Sequence, residues 1–141
     1  MFTSETKIRV RYAETDQMNV VYHGNYAQYF ESARTESIRQ LGFTYKDMEA
    51  GGVVMPVVEL HTKFLRPARY DDLLTIRTIL KELPVNHRIE FQQEVYNENE
   101  KLLATGKVVL YFMDLKKMQK TVMPAALAEK IAPYFRKQSG G

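Results

Sequence analysis

The sequence predicts an α+β fold in which one long helix lies beneath one curved antiparallel sheet. The pattern along the chain gives one strand, then the long helix, then four further strands. The connections at residues 84–87 and 97–101 are short, and short links between neighbouring strands indicate antiparallel pairing. A length of 141 residues with 45% hydrophobic content suits one domain that spans residues 1–141.

The first strand is predicted over residues 7–12, where Ile8, Val10 and Tyr12 alternate with basic residues. Residues 13–24 are predicted to form a loop, and a strand, a loop and a helix therefore follow one another here.

The long helix is predicted over residues 26–41, with Asn25 as its cap and Gln28 three positions later, as in a capping box. Gly42 suits the left-handed position that ends a helix. Glu31 and Arg34 are predicted to lie mainly off the buried stripe, where Glu31 either pairs with Arg34 or faces the site. The stripe itself consists of Tyr26, Tyr29, Phe30, Ala33, Ser37, Ile38 and Leu41.

A short helix is predicted over residues 44–50, capped by Thr44 and stopped by two glycines. The second strand, residues 53–65, contains Pro56 and is therefore predicted at a sheet edge, which a dimer partner can cover. Strands follow over residues 73–83, 88–96 and 102–114. Gly106 within the last of them suggests close approach by the helix, and Pro124 is expected to open a short terminal helix.

Composition narrows the class of protein. The sequence contains no apolar run of about 18 residues, no apolar start and no cysteine, which favours a cytoplasmic protein without a membrane span or disulfides. The net charge of +3 is too mild for a nucleic-acid footprint. Only the last three residues, 139–141, are expected to fray.

The loop and the helix start carry the residues with chemical potential. Asp16 lies in the loop, and His23 and Gly24 come at the start of the helix. The amides and partial positive charge at a helix start can polarise a carbonyl, while a nearby acid works on its carbon directly or through water. Spacing alone also allows a plain reading, in which Asp16 makes a local turn.

Five segments of the sequence resemble one enzyme family. They are RVRYAETD (residues 9–16), VVYHGNY (20–26), FESAR (30–34), PARYDD (67–72) and ATGKVVLYFMD (104–114). Together they resemble the hot-dog-fold acyl-CoA thioesterases, and are most similar to the branch of 4-hydroxybenzoyl-CoA thioesterase and the Tol-Pal-associated acyl-CoA thioesterases.

The resemblance implies a five-stranded sheet wrapped around the long helix, and a homodimer or homotetramer with active sites at the dimer interface. It implies hydrolysis of an acyl-CoA without metal or cofactor. Asp16 holds the place of the catalytic carboxylate, as nucleophile or general base, and the His23 amide would polarise the carbonyl. The family usually has Gly or Ala where this chain has Asn19, and Asn tolerates the positive φ of that position.

Further site residues are expected around this pair. The His23 side chain either takes part in the chemistry or serves only through its backbone, and Tyr22, Gly24, Asn25 and Tyr26 are expected to contact substrate or line the pocket. Glu59 and His61 are either a second acid–base pair or interface residues. The basic candidates for the coenzyme A phosphates are Arg69, Arg88 and Lys120, with Arg66, Lys116 and Lys117 beside them.

Three alternatives remain open at this stage. A hot-dog dehydratase would place a proline–glycine pair at the helix start, which residues 23–26 lack. An acyl-binding protein with an idle Asp16 would have the same fold without turnover, and a nucleic-acid-binding protein would need a concentrated basic face. Acyl carrier protein can also replace coenzyme A as the carrier, and the acyl group is not specified.

Overall fold

The computed structural model describes residues 1–136 and has the predicted α+β architecture; residues 139–141, expected to fray, lie outside the described part. None of the helices within residues 1–136 has the length and apolar run that crossing a bilayer requires. In chain order the elements are β1 (Phe2–Arg9), α1 (Tyr26–Gln40), α2 (Tyr45–Ala50), β2 (Val53–Val54), β3 (Val57–Phe64), β4 (Leu73–Leu80), β5 (Arg88–Tyr96), β6 (Leu102–Tyr111), β7 (Met113–Asp114), β8 (Gln119–Lys120) and α3 (Ala125–Ile131).

The main sheet contains five antiparallel strands in the order β1-β4-β5-β6-β3. This confirms the predicted five-stranded sheet and the edge position of β3. A second, small sheet of β2, β7 and β8 was not predicted. It arises because the two long predicted strands each break: residues 53–65 divide at Met55–Pro56, where proline cannot donate to a ladder, and residues 102–114 divide at Phe112.

The first strand lies earlier than predicted. It pairs with β4 from Phe2 through Arg9, and Tyr12 falls in a short 3₁₀ helix, Tyr12–Glu14, with its ring 74% exposed. The beginning of this strand was not predicted because its inward positions include a polar residue, Ser4. The Ser4 hydroxyl hydrogen-bonds to that of Ser37 on α1. β4 likewise ends at Leu80, three residues before its predicted end.

Helix α1 packs against the concave face of the sheet through the predicted stripe, with Leu41 only partly buried. Gly106 allows the closest approach. A Cβ built there would lie 2.7 Å from two ring carbons of Phe30, which is fully buried. The prediction that Gly106 permits close packing by the helix is therefore confirmed.

Arg34 is buried and does not pair with Glu31, so this part of the prediction is wrong. Its Nη1 donates to Oε1 of Gln93 at 3.1 Å, and Nε2 of Gln93 donates to the Phe30 carbonyl at 2.9 Å and to Oγ1 of Thr78 at 3.0 Å. Arg34 follows Phe30 by four residues, which places it on the same helix face. Burial lowers the pKa of Arg34 from its ordinary value.

The structure confirms the predictions for Gly42 after α1, Thr44 before α2 and Pro124 before α3. Gly42 has φ of 85°, Thr44 accepts a hydrogen bond from the Asp47 amide at 3.0 Å, and Pro124 precedes α3. Leu127 and Ile131 of α3 pack into the core at the end of the sheet away from the start of α1, beside Phe2, Phe112 and Ile38.

Candidate active site

Local hydrogen bonds shape the loop that carries Asp16. The Asp16 amide donates to the Val20 carbonyl at 2.9 Å, the Asn19 amide donates to the Asp16 carbonyl at 3.0 Å, and Asn19 adopts φ of 64°. A bridge between Thr15 and Val21 closes the loop. The expectation that Asn19 accommodates a left-handed backbone is confirmed, because its side chain tolerates that region better than most.

The side chain of Asp16 has a structural contact and an open oxygen. Oδ1 accepts a hydrogen bond from the Met18 amide at 2.8 Å, which forms the local turn that spacing alone allowed for Asp16. Within residues 1–136 no group donates to the other carboxylate oxygen, and Asp16 is exposed. One contact thus orients the carboxylate while leaving its second oxygen able to act on a substrate or a water molecule.

Two backbone amides just before α1 have no acceptor within residues 1–136. A 3₁₀ turn, His23–Asn25, precedes α1, and its last amide, that of Asn25, donates to the Tyr22 carbonyl at 2.9 Å. The His23 and Gly24 amides find no acceptor in the part of the chain that the structure describes. Such N–H groups at a helix start can hold an oxygen that carries negative charge.

Asn25 does not cap the helix, contrary to the prediction. No cap hydrogen bond from its side chain is present, and Nδ2 donates instead to the Glu14 carbonyl at 2.8 Å. The helical backbone of Asn25, with φ −79° and ψ −14°, explains this, because a capping residue normally has an extended backbone. The substrate-binding role predicted for its side chain is disfavoured by the same contact.

Glu14 is a second carboxylate in the loop, and it was not among the residues predicted for the site. Its Oε1 accepts hydrogen bonds from the Arg11 amide at 2.8 Å and from Oη of Tyr29 at 2.9 Å, and Oε2 lies 3.2 Å from Nη2 of Arg11. Burial acts to raise the pKa of Glu14, but hydrogen bonds from Arg11 and Tyr29 outweigh it and the pKa is lowered overall. Burial and Glu14 together raise the pKa of Tyr29.

One feature of the sequence could have pointed to Glu14. Tyr29 lies on the buried stripe of the helix, and a buried tyrosine hydroxyl needs a partner. A carboxylate just before the helix is a natural candidate for that partner.

An open cavity of about 340 Å³ brings the central candidates together. Its lining includes Asp16, His23 and Tyr26, together with residues 64–67. Burial raises the pKa of Tyr26, which keeps its phenol protonated. The Tyr22 ring lies outside this lining and packs on the imidazole of His23, with ring centroids 4.3 Å apart. Aromatic rings thus form the cavity wall beside His23, where Phe64 also contacts Tyr26 edge to face.

The predicted basic residues are divided between the two ends of the sheet. The backbone of Arg69 bridges to Val20, beside the Asp16 loop, and Arg66 lines the cavity. Arg88 begins β5 and its guanidinium binds Glu90 at 2.9 Å, while Nζ of Lys120 lies 5.2 Å from the ring centroid of Tyr111.

Arg88 and Lys120 lie at the end of the sheet away from the cavity. Arg88 pairs with Tyr111 on β6, whereas Phe64 at the cavity pairs with Ala104 on the same strand. Seven residues of strand separate these two positions, or about 23 Å. Within one protomer the structure therefore does not bring Arg88 and Lys120 to Asp16.

The remaining candidates are also outside the cavity. His61 and Glu59 are exposed on the edge strand with Nε2 and Oε1 3.9 Å apart. Glu31 is exposed on α1. Among residues 1–136 no group of three or more His, Asp or Glu side chains is arranged to hold a metal ion.

Comparison with known proteins identifies the family. A profile of the Thioesterase-like superfamily matches residues 10–131. The protein YneP of Bacillus subtilis is 44% identical over 82 residues, which span 58% of this chain and 59% of YneP. The acyl-CoA thioester hydrolase YbgC of Escherichia coli O6:H1 is 33% identical over 129 residues, which span 92% of each chain.

A solved structure agrees with this assignment. The DHNA-CoA thioesterase of Staphylococcus aureus is 33% identical and superposes with a TM-score of 0.82, covering 96% of this chain and 87% of that one. The profile match covers most of the chain, and the sheet wrapped around α1 is the one the sequence resemblance implied. The chain therefore belongs to the thioesterase-like superfamily and has the hot-dog fold.

Proposed function

We propose that this protein hydrolyses the thioester of an acyl-CoA to a free acid and coenzyme A, with Asp16 as the carboxylate at the reacting carbon. The supporting observation is that Asp16 and His23 line one open cavity, beside the His23 and Gly24 amides, for which the described part of the chain supplies no acceptor. Similarity to acyl-CoA thioester hydrolases over nearly the whole chain supports the same activity. The reaction is thioester hydrolysis, and the chain is a thioester hydrolase.

The amides of His23 and Gly24 hold the carbonyl oxygen. As the carbon becomes tetrahedral, negative charge collects on this oxygen, and N–H donors at a helix start stabilise it more than they stabilise the neutral carbonyl. Removing one donor of this type typically costs about 100- to 1,000-fold in kcat. Backbone donors cannot be deleted by substitution, so the effect is tested through the residues that hold them in place.

Asp16 supplies the second part of the chemistry in one of two ways. As a general base it removes a proton from water, the resulting hydroxide bonds to the carbonyl carbon, and the thiolate of coenzyme A leaves and is protonated. As a nucleophile its oxygen bonds to the carbon and expels the thiolate, and water then cleaves the anhydride to the free acid and the restored carboxylate. Both routes need the open carboxylate oxygen and the same oxygen-binding amides.

The other cavity residues serve binding. The rings of Tyr26 and Phe64 offer an apolar wall for the acyl group or the arm of coenzyme A, and the exposed Arg66 offers a positive charge for phosphate. The His23 imidazole packs on Tyr22 and is placed to contact substrate beside its own amide. The backbone of Arg69 pairs with Val20 beside the loop, and its guanidinium is the second positive charge that we propose for the phosphates.

We further propose a homodimer assembled through β3. The supporting observation is that this edge strand exposes apolar side chains, which a second copy of the chain would cover. Those between 42% and 50% exposed are Val57, Val58, Leu60, Phe64 and Leu65. The antiparallel two-fold arrangement would bring the far end of the partner's edge strand beside Asp16. We also propose that two such dimers form a tetramer, that the protein is cytoplasmic, and that acyl carrier protein can replace coenzyme A as the carrier.

The test is release of thiol from acetyl-, octanoyl-, palmitoyl- and benzoyl-CoA by the wild type and by Asp16→Asn. We expect kcat to fall by roughly 1,000-fold or more in the variant while circular dichroism and oligomeric state are unchanged. Asp47→Asn is the matched control, because Asp47 is also exposed beside a helix start but lies on α2. Activity in Asp16→Asn equal to that of the wild type would refute the mechanism. No turnover of any substrate by the wild type would favour an acyl-binding protein instead.

A further inference from the structure

Glu14 makes three hydrogen bonds that connect the Asp16 loop to the start of α1, and a fourth, from Arg11, that orients its carboxylate. Its carbonyl accepts the Tyr22 amide at 2.9 Å and Nδ2 of Asn25 at 2.8 Å. Its carboxylate accepts Oη of Tyr29 at 2.9 Å and the Arg11 amide at 2.8 Å. Asp16 follows Glu14 by two residues, and His23 follows Tyr22 by one. Glu14 therefore lies between the two halves of the site.

We propose that Glu14, Asn25 and Tyr29 form a clamp of positioning residues that fixes the distance between the Asp16 carboxylate and the His23 and Gly24 amides. This inference rests on the proposed thioester hydrolysis at the same site. None of the three residues needs to touch the substrate, because each acts through the loop or the helix start that it holds.

Within residues 1–136, Glu14 is the one residue of the segment 12–20 that hydrogen-bonds to α1 and to the turn before it. The remaining residues of the segment 12–20 make hydrogen bonds among themselves, to Val21 or to the turn around Arg69, but not to α1 or to the 3₁₀ turn before it. Asp16 itself is exposed and is held by contacts within its own loop. If the clamp opens, the loop keeps its internal shape but loses its hydrogen bonds to the helix start, and its position relative to the helix becomes less fixed.

The clamp also explains why Asn25 fails to cap the helix. An asparagine cap would use its side-chain oxygen on amides of the first turn, near the place where a substrate oxygen must bind. Here the amide group of Asn25 donates to the Glu14 carbonyl instead, so this residue holds the loop and makes no cap hydrogen bond to the first turn of α1. The sequence feature expected of a cap is thus used for positioning.

Small displacements of reacting groups have large effects on rate. A shift of about 1 Å in a catalytic group can reduce turnover by about 100-fold, whereas ground-state binding of the long substrate depends little on it. With kcat expressed per folded protein, the clamp therefore predicts loss in kcat with little change in KM, a pattern that a loss of substrate binding does not produce.

Tyr29→Phe is the sharpest test, because it removes one hydroxyl and retains the buried ring. We expect kcat with octanoyl- or benzoyl-CoA, whichever the wild type hydrolyses faster, to fall roughly tenfold with KM within about twofold. Asn25→Ala is expected to behave similarly. Tyr96→Phe is the matched control, since its hydroxyl bonds to Glu94 at 3.1 Å on the outer face of the sheet, and its kcat is expected to stay within about twofold of the wild type.

Amide hydrogen exchange tests the clamp without relying on activity. We expect residues 14–25 to exchange faster in Tyr29→Phe than in the wild type or in Tyr96→Phe. Unchanged exchange in this segment would overturn the clamp.

The kinetic results separate this inference from the proposed function. Wild-type kcat in both Tyr29→Phe and Asn25→Ala, with Asp16→Asn inactive, would overturn the clamp and leave the hydrolysis mechanism standing. Full activity in Asp16→Asn would overturn the mechanism, and the positioning role would fall with it. An equal loss in Tyr96→Phe would show a non-specific effect and would also overturn the clamp.

Discussion

Substitution of Gly106 by alanine tests how closely the sheet approaches the central helix. The new Cβ would lie 2.7 Å from Cε2 and Cζ of Phe30 and 3.2 Å from Cδ2. Phe30 is fully buried on α1, so its ring has no space into which to move, and either the helix or the strand must shift.

The size of the effect follows from two opposing contributions. Overpacking of a dense core costs up to about 3 kcal/mol. Alanine recovers about 0.5–1 kcal/mol of the conformational penalty that glycine carries in a strand. The net loss in free energy of unfolding is therefore about 2 kcal/mol, which lowers the melting temperature of a chain of this size by roughly 6–8 °C.

The assay is thermal and urea unfolding of the wild type, Gly106→Ala and Gly51→Ala at equal protein concentration. Gly51 has φ of −81° and a Cβ there would be 3.4 Å from the nearest atom, so its substitution is expected to stay within about 0.5 kcal/mol. In a Phe30→Leu background the cost of Gly106→Ala should shrink. Gly106→Ala as stable as the wild type would refute the close packing.

Three further substitutions test the loop and the buried polar contacts. Glu14→Gln should remove a pH-dependent contribution to the free energy of unfolding. Because the pKa of Glu14 is lowered in the fold, this contribution is present above the ordinary pKa of 4.5 and disappears as pH falls through the folded pKa. Urea midpoints measured against pH should therefore show the two proteins approaching equal stability in acid. Asn19→Gly should retain activity, whereas Asn19→Val forces a branched side chain into φ of 64°, costs about 1–2 kcal/mol and should lower kcat; equal rates would contradict this. Gln93→Leu removes the acceptor of buried Arg34 and should cost roughly 3 kcal/mol in urea unfolding; a loss below about 1 kcal/mol would mean that Arg34 finds another acceptor.

The helix and the order of the strands were readable from the sequence because each rests on local information. The apolar stripe of α1, Gly42 after it and Thr44 before α2 all depend on residues within one or two turns. The limits of β1 were not readable in this way. Its polar inward positions become interpretable only when α1 supplies Ser37 as a partner for Ser4.

The residues of the candidate site were likewise predictable where the pattern is local and not where a partner is distant in the chain. Asp16, His23 and Gly24 were predicted because an acid close to a helix start is a local pattern, and a family motif contains it. Arg34 was placed wrongly because its partner, Gln93, is 59 residues away in the chain. Glu14 was not singled out because the sequence indicates that the buried Tyr29 hydroxyl needs an acceptor but does not show which one it takes, and the folded helix brings the two residues together.

The sequence by itself determined the class of fold, the edge strand, the long helix and the candidate residues for the chemistry, since periodicity, prolines, glycines and motif spacing are local properties. The tertiary structure decided which carboxylate braces the loop, which cation is buried and which basic residues can reach Asp16 within one protomer. These outcomes depend on hydrogen bonds and burial between distant segments, whose free energies exist only once the chain has packed.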